Sequence, residues 1–76
     1  MEMFPGVSMD ANVRFGKPCL TGTRVDVATV LAALASGQDV DDVCADYQLT
    51  SEQVHAALGY AAHVAAHLPP AVSKAS

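Results

Sequence analysis

Three stretches of the chain repeat their apolar residues at the spacing of a helix that buries one face. In the first stretch these residues are Val27, Val30, Leu31 and Leu34, and in the second they are Val40, Val43, Cys44 and Tyr47. Asp26 and Asp39 precede the two stretches, and aspartate is among the preferred N-cap residues. Gly37 follows the first stretch and can take the left-handed conformation that ends helices. We therefore predict two short helices, one after Asp26 and one after Asp39.

The third stretch carries clear helix boundaries at both ends. Thr50 and Gln53 match the capping box, in which each side chain bonds the backbone N–H of the other residue. The prolines at positions 69 and 70 prevent the helix from continuing. We predict a long helix from Ser51 to about His67.

The first third of the chain lacks such a period. Residues 1–12 contain Pro5 and Gly6 and are predicted to form a flexible arm. Residues 13–25 are broken by glycine and proline, and the turn chemistry at 21–23 favours a short β-ribbon.

Together these elements predict a mainly α fold, a three-helix bundle preceded by a short β-ribbon. The second and third helices have the proportions of a helix-turn-helix, and a plain bundle without a binding role is the alternative. The predicted organisation is a single domain over residues 13–68 and a C-terminal tail over 69–76.

The end of the third helix stays apolar beyond the reach of the first helix. Small residues there permit close approach of another helix, although an alanine-rich helix selected for propensity alone is an alternative. The predicted dimer interface is Leu58, Ala61, Ala65 and Leu68.

The length and composition of the chain limit the functions that it can have. A chain of 76 residues buries only about 60% of its unfolded surface, which favours partnership with another chain and leaves little material for a catalytic cleft. We expect no enzymatic activity and no cofactor.

The absence of a secretory signal and the sparse cysteines, Cys19 and Cys44, indicate a soluble, reduced, cytoplasmic protein with core-filling thiols. His55, His63 and His67 share one ridge without further ligands nearby and are interpreted as surface residues rather than metal ligands.

Charge is unevenly distributed in this chain of net charge −4. Six acids and no lysine or arginine occur from Asp26 to Glu52, so a basic DNA-binding surface is restricted to the N-terminal segment. The candidate nucleic-acid contacts are Arg14, Lys17 and Arg24, acting in a β-ribbon mode.

Residues 16–25, GKPCLTGTRV, closely resemble the opening motif of the domain-of-unknown-function 433 family, G-K/R-P-x-I-x-G-T-R-I/V. The resemblance continues through residues 30–37, 42–47, 49–50 and 54–61. It implies a small prokaryotic VapB-like antitoxin that dimerises, silences a PIN-like ribonuclease toxin and binds its own operator DNA. His55 stands where the family usually has a basic residue, which lowers the expectation that the third helix reads DNA.

The resemblance also implies roles for individual residues. A PIN-like nuclease binds Mg²⁺ through acids, so a basic side chain of the antitoxin could take the metal's position. The predicted toxin-binding residues are Val64, Leu68, Val72 and Lys74. The acidic helices offer another route, electrostatic masking of a basic, RNA-binding face. Arg24 is expected to fix the ribbon to an acidic helix end, with Asp46 or the C-terminus of the second helix as its partner.

The leading hypothesis is therefore a homodimeric, non-enzymatic antitoxin. A DNA-binding transcriptional regulator and a plain dimerisation module are the alternatives.

Overall fold

The three predicted helices form close to their predicted bounds in the computed structural model of the chain, which describes residues 1–71. They are α1 (Val27–Ala35), α2 (Val40–Tyr47) and α3 (Ser51–Ala66). A three-residue turn separates α2 from α3, as expected for a helix-turn-helix-like pair, and Gln48 opens this turn in the left-handed conformation. The mainly α fold predicted from the sequence is confirmed. Within residues 1–71, no helix combines the length and hydropathy needed to span a membrane.

The predicted helix caps are also present. The Thr50 hydroxyl accepts a 3.1 Å hydrogen bond from the Gln53 backbone, and the Gln53 side chain accepts a 2.8 Å bond from the Thr50 backbone. Asp39 caps α2 in the same way, accepting a 2.8 Å bond from the Asp42 backbone N–H. Gly37 follows α1 with a φ of +106°, so the helix ends where the sequence predicted. Capping sets the helix boundaries because it satisfies backbone groups that have no partner inside the helix.

The N-terminal segment differs from the prediction, because part of the expected flexible arm forms strands. Strands β1 (Glu2–Phe4) and β2 (Val7–Ser8) are antiparallel, and β2 also pairs with β3 (Cys19–Leu20). Gly6 has a φ of +85° and allows the tight turn between β1 and β2. Strands of two or three residues are too short to show an alternating pattern, which explains the wrong expectation.

The predicted ribbon is correspondingly modified. Its turn is present, since the Thr23 N–H donates to the Leu20 carbonyl at 2.9 Å and the Leu20 N–H donates to Val25 at 3.0 Å. The returning segment, however, contributes only an isolated bridge between Cys19 and Asp26. The ribbon strand β3 instead finds its main partner in β2, giving a three-stranded sheet in the order β1-β2-β3.

The core lies between this sheet and the three helices. Its buried hydrophobic residues are Val7, Leu20, Val27, Val30, Ala33, Val43, Leu49, Val54 and Ala57. The hairpin docks on α3, where the Phe4 ring meets Tyr60 at 5.7 Å and His63 at 5.2 Å between centroids. The first half of α3 is thus covered by the sheet and helices, while Leu68 beyond its end is 63% exposed.

Two glycine substitutions test the docking of the hairpin on α3. A Cβ added at Gly6 would lie 2.7 Å from the Ala56 Cβ, whereas a Cβ at Gly22, whose φ of +81° is nearly equal to the +85° of Gly6, meets nothing within 4 Å. Gly22→Ala should therefore lower the free energy of unfolding by about 1 kcal/mol, because the alanine must take the left-handed backbone conformation. Gly6→Ala should cost about 2–4 kcal/mol because overpacking is added. Urea denaturation measures both, and equal losses would contradict the docked hairpin.

Candidate interaction surface

An apolar groove of about 390 Å³ runs between α1 and the second half of α3. It arises from a difference in length, because α3 has 16 residues and α1 has 9. Val27, Ala28 and Leu31 form the α1 wall. The α3 wall is formed by Tyr60, Ala61, Val64, Ala65 and Leu68. Exposed apolar surface of this kind is typical of a contact site for another molecule.

The groove brings together residues that the sequence assigned to two separate contacts. Ala61, Ala65 and Leu68 from the predicted dimer interface line it, and so does Val64 from the predicted toxin-binding set. Leu58 is 39% exposed but lies outside the groove lining. The other two residues of the toxin-binding set, Val72 and Lys74, lie outside the described residues. The dimer and toxin contacts themselves stay predictions.

Asp26 occupies one end of the groove and is only 4% exposed. As the N-cap of α1 it accepts hydrogen bonds from both the backbone N–H, at 3.3 Å, and the hydroxyl of Thr29. Its other carboxylate oxygen lies 3.6 Å from the Arg14 guanidinium. The Thr29 hydroxyl bond, together with the Thr29 N–H and the nearby cations, lowers the pKa of Asp26 and outweighs the opposing effect of burial. The carboxylate is therefore held in its charged form.

The three basic candidates line two different depressions. Lys17 lines the apolar groove, whereas Arg14 and Arg24 line a separate depression, and Asp26 borders both. The expected ion pair between Arg24 and Asp46 is replaced, within residues 1–71, by the pair between Arg14 and Asp26. The turn that precedes β3 explains this change, because it places Arg14 beside the N-terminus of α1.

That turn has an unusual backbone. Arg14, Phe15 and Gly16 have φ values of +50°, +59° and +80°, so three successive residues are left-handed. Two of them carry side chains, and the left-handed conformation costs each about 1–2 kcal/mol. The Phe15 side chain is 91% exposed. Only Gly16 indicates this turn in the sequence, so the position of Phe15 could not be predicted.

Two of the histidines contact each other through their rings. His63 and His67 stack with ring centroids 4.2 Å apart, and His67 Nδ1 lies 2.7 Å from the His63 carbonyl oxygen. In the part of the chain that the structure describes, no three potential metal ligands come together.

Cys19 is buried, which raises the pKa of its thiol, and Cys44 packs partly against the core. Both positions agree with core-filling thiols.

A second surface, the acidic face, lies on α2 and the first turn of α3. All of its acids are exposed, and none lines the groove; they are Asp39, Asp41, Asp42, Asp46 and Glu52. The acids of the acidic face thus lie outside the apolar groove, whose own charged lining residues are Lys17 and Asp26.

Residues 7–61 match the family model described as a protein of unknown function, DUF433. The chain belongs to the DUF433 family. Among solved structures, it is similar to the X-ray crystal structure of Rv2018 from Mycobacterium tuberculosis, with 36% sequence identity and a TM-score of 0.63. The similarity covers 68% of this chain and 24% of that one, so this chain matches about a quarter of the longer protein. No curated protein sequence matches.

The DUF433 match ends inside the groove. It includes β2, β3, α1, α2 and the buried half of α3, but it begins after β1 and stops at residue 61, before Val64, Ala65 and Leu68. The matched region therefore corresponds to the folded core, and the outer wall of the groove lies beyond it.

The lowered pKa of Asp26 predicts acid sensitivity. The pKa of an aspartate in the unfolded chain is about 3.9. The stabilisation by Asp26 is therefore present above that pH and is lost as the pH falls through the lower pKa of the folded state. Asp26→Asn keeps a good N-cap but has no titrating group. We expect its unfolding free energy to fall less than the wild type's between about pH 5 and pH 2. Urea denaturation across this range provides the measurement, and parallel curves would be inconsistent with the assigned role.

Proposed function

We propose that this DUF433 chain is a non-enzymatic, antitoxin-like protein that acts as a homodimer and neutralises a PIN-like ribonuclease. The observation that carries the proposal is the separation of two exposed surfaces, the apolar groove and the acidic face. Two surfaces of different chemistry allow one small domain to contact two different molecules. The resemblance to VapB-like antitoxins is the reason for proposing a ribonuclease as the second molecule.

The groove cannot hold a second copy and a ribonuclease at the same time, so each surface is assigned one partner. Apolar surface with small residues suits association between identical chains, because it needs no opposite charge on the partner. A ribonuclease attracts RNA phosphates with a basic surface, and the acidic face complements such a surface. We therefore assign the groove to self-association and the acidic face to the ribonuclease. Val64 and Leu68 of the predicted toxin-binding set are thereby assigned to self-association.

Removing charge from the acidic face tests the ribonuclease contact. Asp41 and Asp46 are exposed residues of α2 without a capping role, so Asp41→Asn/Asp46→Asn should leave the fold intact. The control Glu2→Gln/Asp10→Asn removes two charges from the hairpin side, and each amide keeps an oxygen for the hydrogen bonds that these residues accept. We expect the first variant to bind the ribonuclease about tenfold more weakly, since an exposed charge pair contributes up to about 1 kcal/mol.

The candidate ribonuclease for this test is the product of the neighbouring gene, co-expressed with this chain. Co-purification and recovery from growth arrest are the two readouts, and binding is compared at low and high salt. Equal binding by both variants would exclude the acidic face as the contact. Growth arrest that persists despite soluble wild-type protein would exclude the antitoxin function.

DNA binding by the N-terminal segment is a second candidate, because Arg14 and Arg24 line one depression. Arg14 is already engaged by Asp26, and Lys17 lies on the groove, so we expect only weak, salt-sensitive binding to duplex DNA. A gel-shift titration of the chain alone across salt concentrations measures this. Tight binding that is lost in Arg24→Ala would instead favour a transcriptional regulator.

A further inference from the structure

We infer that the groove is filled by Phe15 of a second copy, and that two copies insert their Phe15 rings reciprocally around a two-fold axis. The inference rests on the homodimer in the proposed function and names the contact that forms it. It concerns the exposed ring of the left-handed turn and the groove between α1 and α3.

Phe15 has the properties of an inserted anchor. Its side chain is 91% exposed, although the chain contains only two phenylalanines and no tryptophan. The left-handed backbone at Arg14 and Phe15 carries strain, and such strain persists where the surrounding structure enforces it, often at contact sites. The ion pair between Arg14 and Asp26 fixes the base of the turn. Aromatic anchors held in this way are typical of the residues that dominate binding energy in interfaces.

The groove has the size and chemistry to accept a phenyl ring. An apolar cavity of about 150 Å³ holds benzene, and the groove measures about 390 Å³. Ala28, Ala61 and Ala65 line it with small side chains, which leave space for an inserted ring. The chain's own Phe15 does not fill it, because this residue is exposed and lies outside the lining.

The position of the ring beside the groove favours a second copy as the occupant. Lys17, two residues after Phe15, already lines the groove, so the Phe15 Cα lies within about 7 Å of the Cα of a lining residue. A two-fold interface sets one surface patch against the same patch of the partner. Because this patch contains both the ring and the groove, a single two-fold contact achieves both insertions.

Charge distribution supports the same arrangement. Each chain carries a net charge of −4, so most contacts between copies bring carboxylates together. The charged residues of the groove lining are Lys17 and Asp26, and Asp26 is paired with Arg14. The acidic face lies outside this lining. The groove lining itself therefore contains no carboxylate that lacks a cationic partner.

The exposed ring of Phe15 supplies part of the area that a small dimer needs. An exposed Phe15 side chain contributes about 180 Å², and a standard interface takes about 800 Å² from each partner. The ring thus supplies about a fifth of the standard area, and Val64 and Leu68, which are 39% and 63% exposed, extend the contact along α3.

Complementation between two variants tests the reciprocal insertion. Phe15→Ala removes the ring, and Ala65→Arg fills the groove; both residues are exposed, so folding should be retained. The control is Ala62→Arg, an exposed position of α3 outside the groove lining. Loss of each insertion should raise the dimer Kd about 30-fold, so each variant alone, lacking both insertions, should weaken by about 1,000-fold. A mixture should recover to about 30-fold weaker than wild type, because one ring still meets one intact groove.

Sedimentation equilibrium of the full chain, without ribonuclease, measures these constants, and circular dichroism checks the fold of each variant. In a second measurement, Phe15→Trp introduces the one tryptophan of the chain, whose emission should shift to shorter wavelength as the concentration rises. A monomeric wild type, a dimer that tolerates Phe15→Ala, or a mixture without recovery would overturn the inference. A dimer that requires Phe15 but does not bind the ribonuclease would overturn the antitoxin function and leave the inference standing.

Discussion

The buried carboxylate of Asp26 connects the three parts of this domain. It caps α1 through Thr29 and pairs with Arg14 in the left-handed turn, while the Asp26 backbone forms a β-bridge with Cys19 of β3. A buried charge is tolerated only when hydrogen bonds and a counter-charge replace its water. These requirements fix the relative positions of the sheet, the turn and α1, and both Phe15 and one end of the groove depend on them.

The helical part of the fold could be predicted from the sequence because its signals are local. Asp39 and Thr50 each act on residues within one turn, so the bounds of α2 and α3 follow from short motifs. The strands β1 and β2 could not be predicted, because their pairing depends on docking against α3, and they are too short to carry a pattern of their own. Capping is local chemistry, whereas strand pairing here depends on tertiary contacts.

The candidate site was predictable only in part, for the same reason. The overhang of α3 could be inferred from its length, and Ala61, Ala65 and Leu68 indeed lie on one wall of the groove. The α1 wall and the role of Lys17 depend on how helices and turn pack together. The exposed position of Phe15 could not be predicted, because no sequence motif besides the neighbouring Gly16 marks a left-handed conformation at a residue with a side chain.

The central claim is that the ring of Phe15 occupies the groove of a second copy, and intermolecular nuclear Overhauser effects test it most directly. A mixed sample of unlabelled and isotope-labelled chains separates contacts between copies from contacts within one copy. Insertion of the ring predicts intermolecular effects from the Phe15 ring protons to the methyl groups of Val64 and Leu68. Their absence in a sample that is demonstrably dimeric would contradict it, since the copies would then meet through another surface.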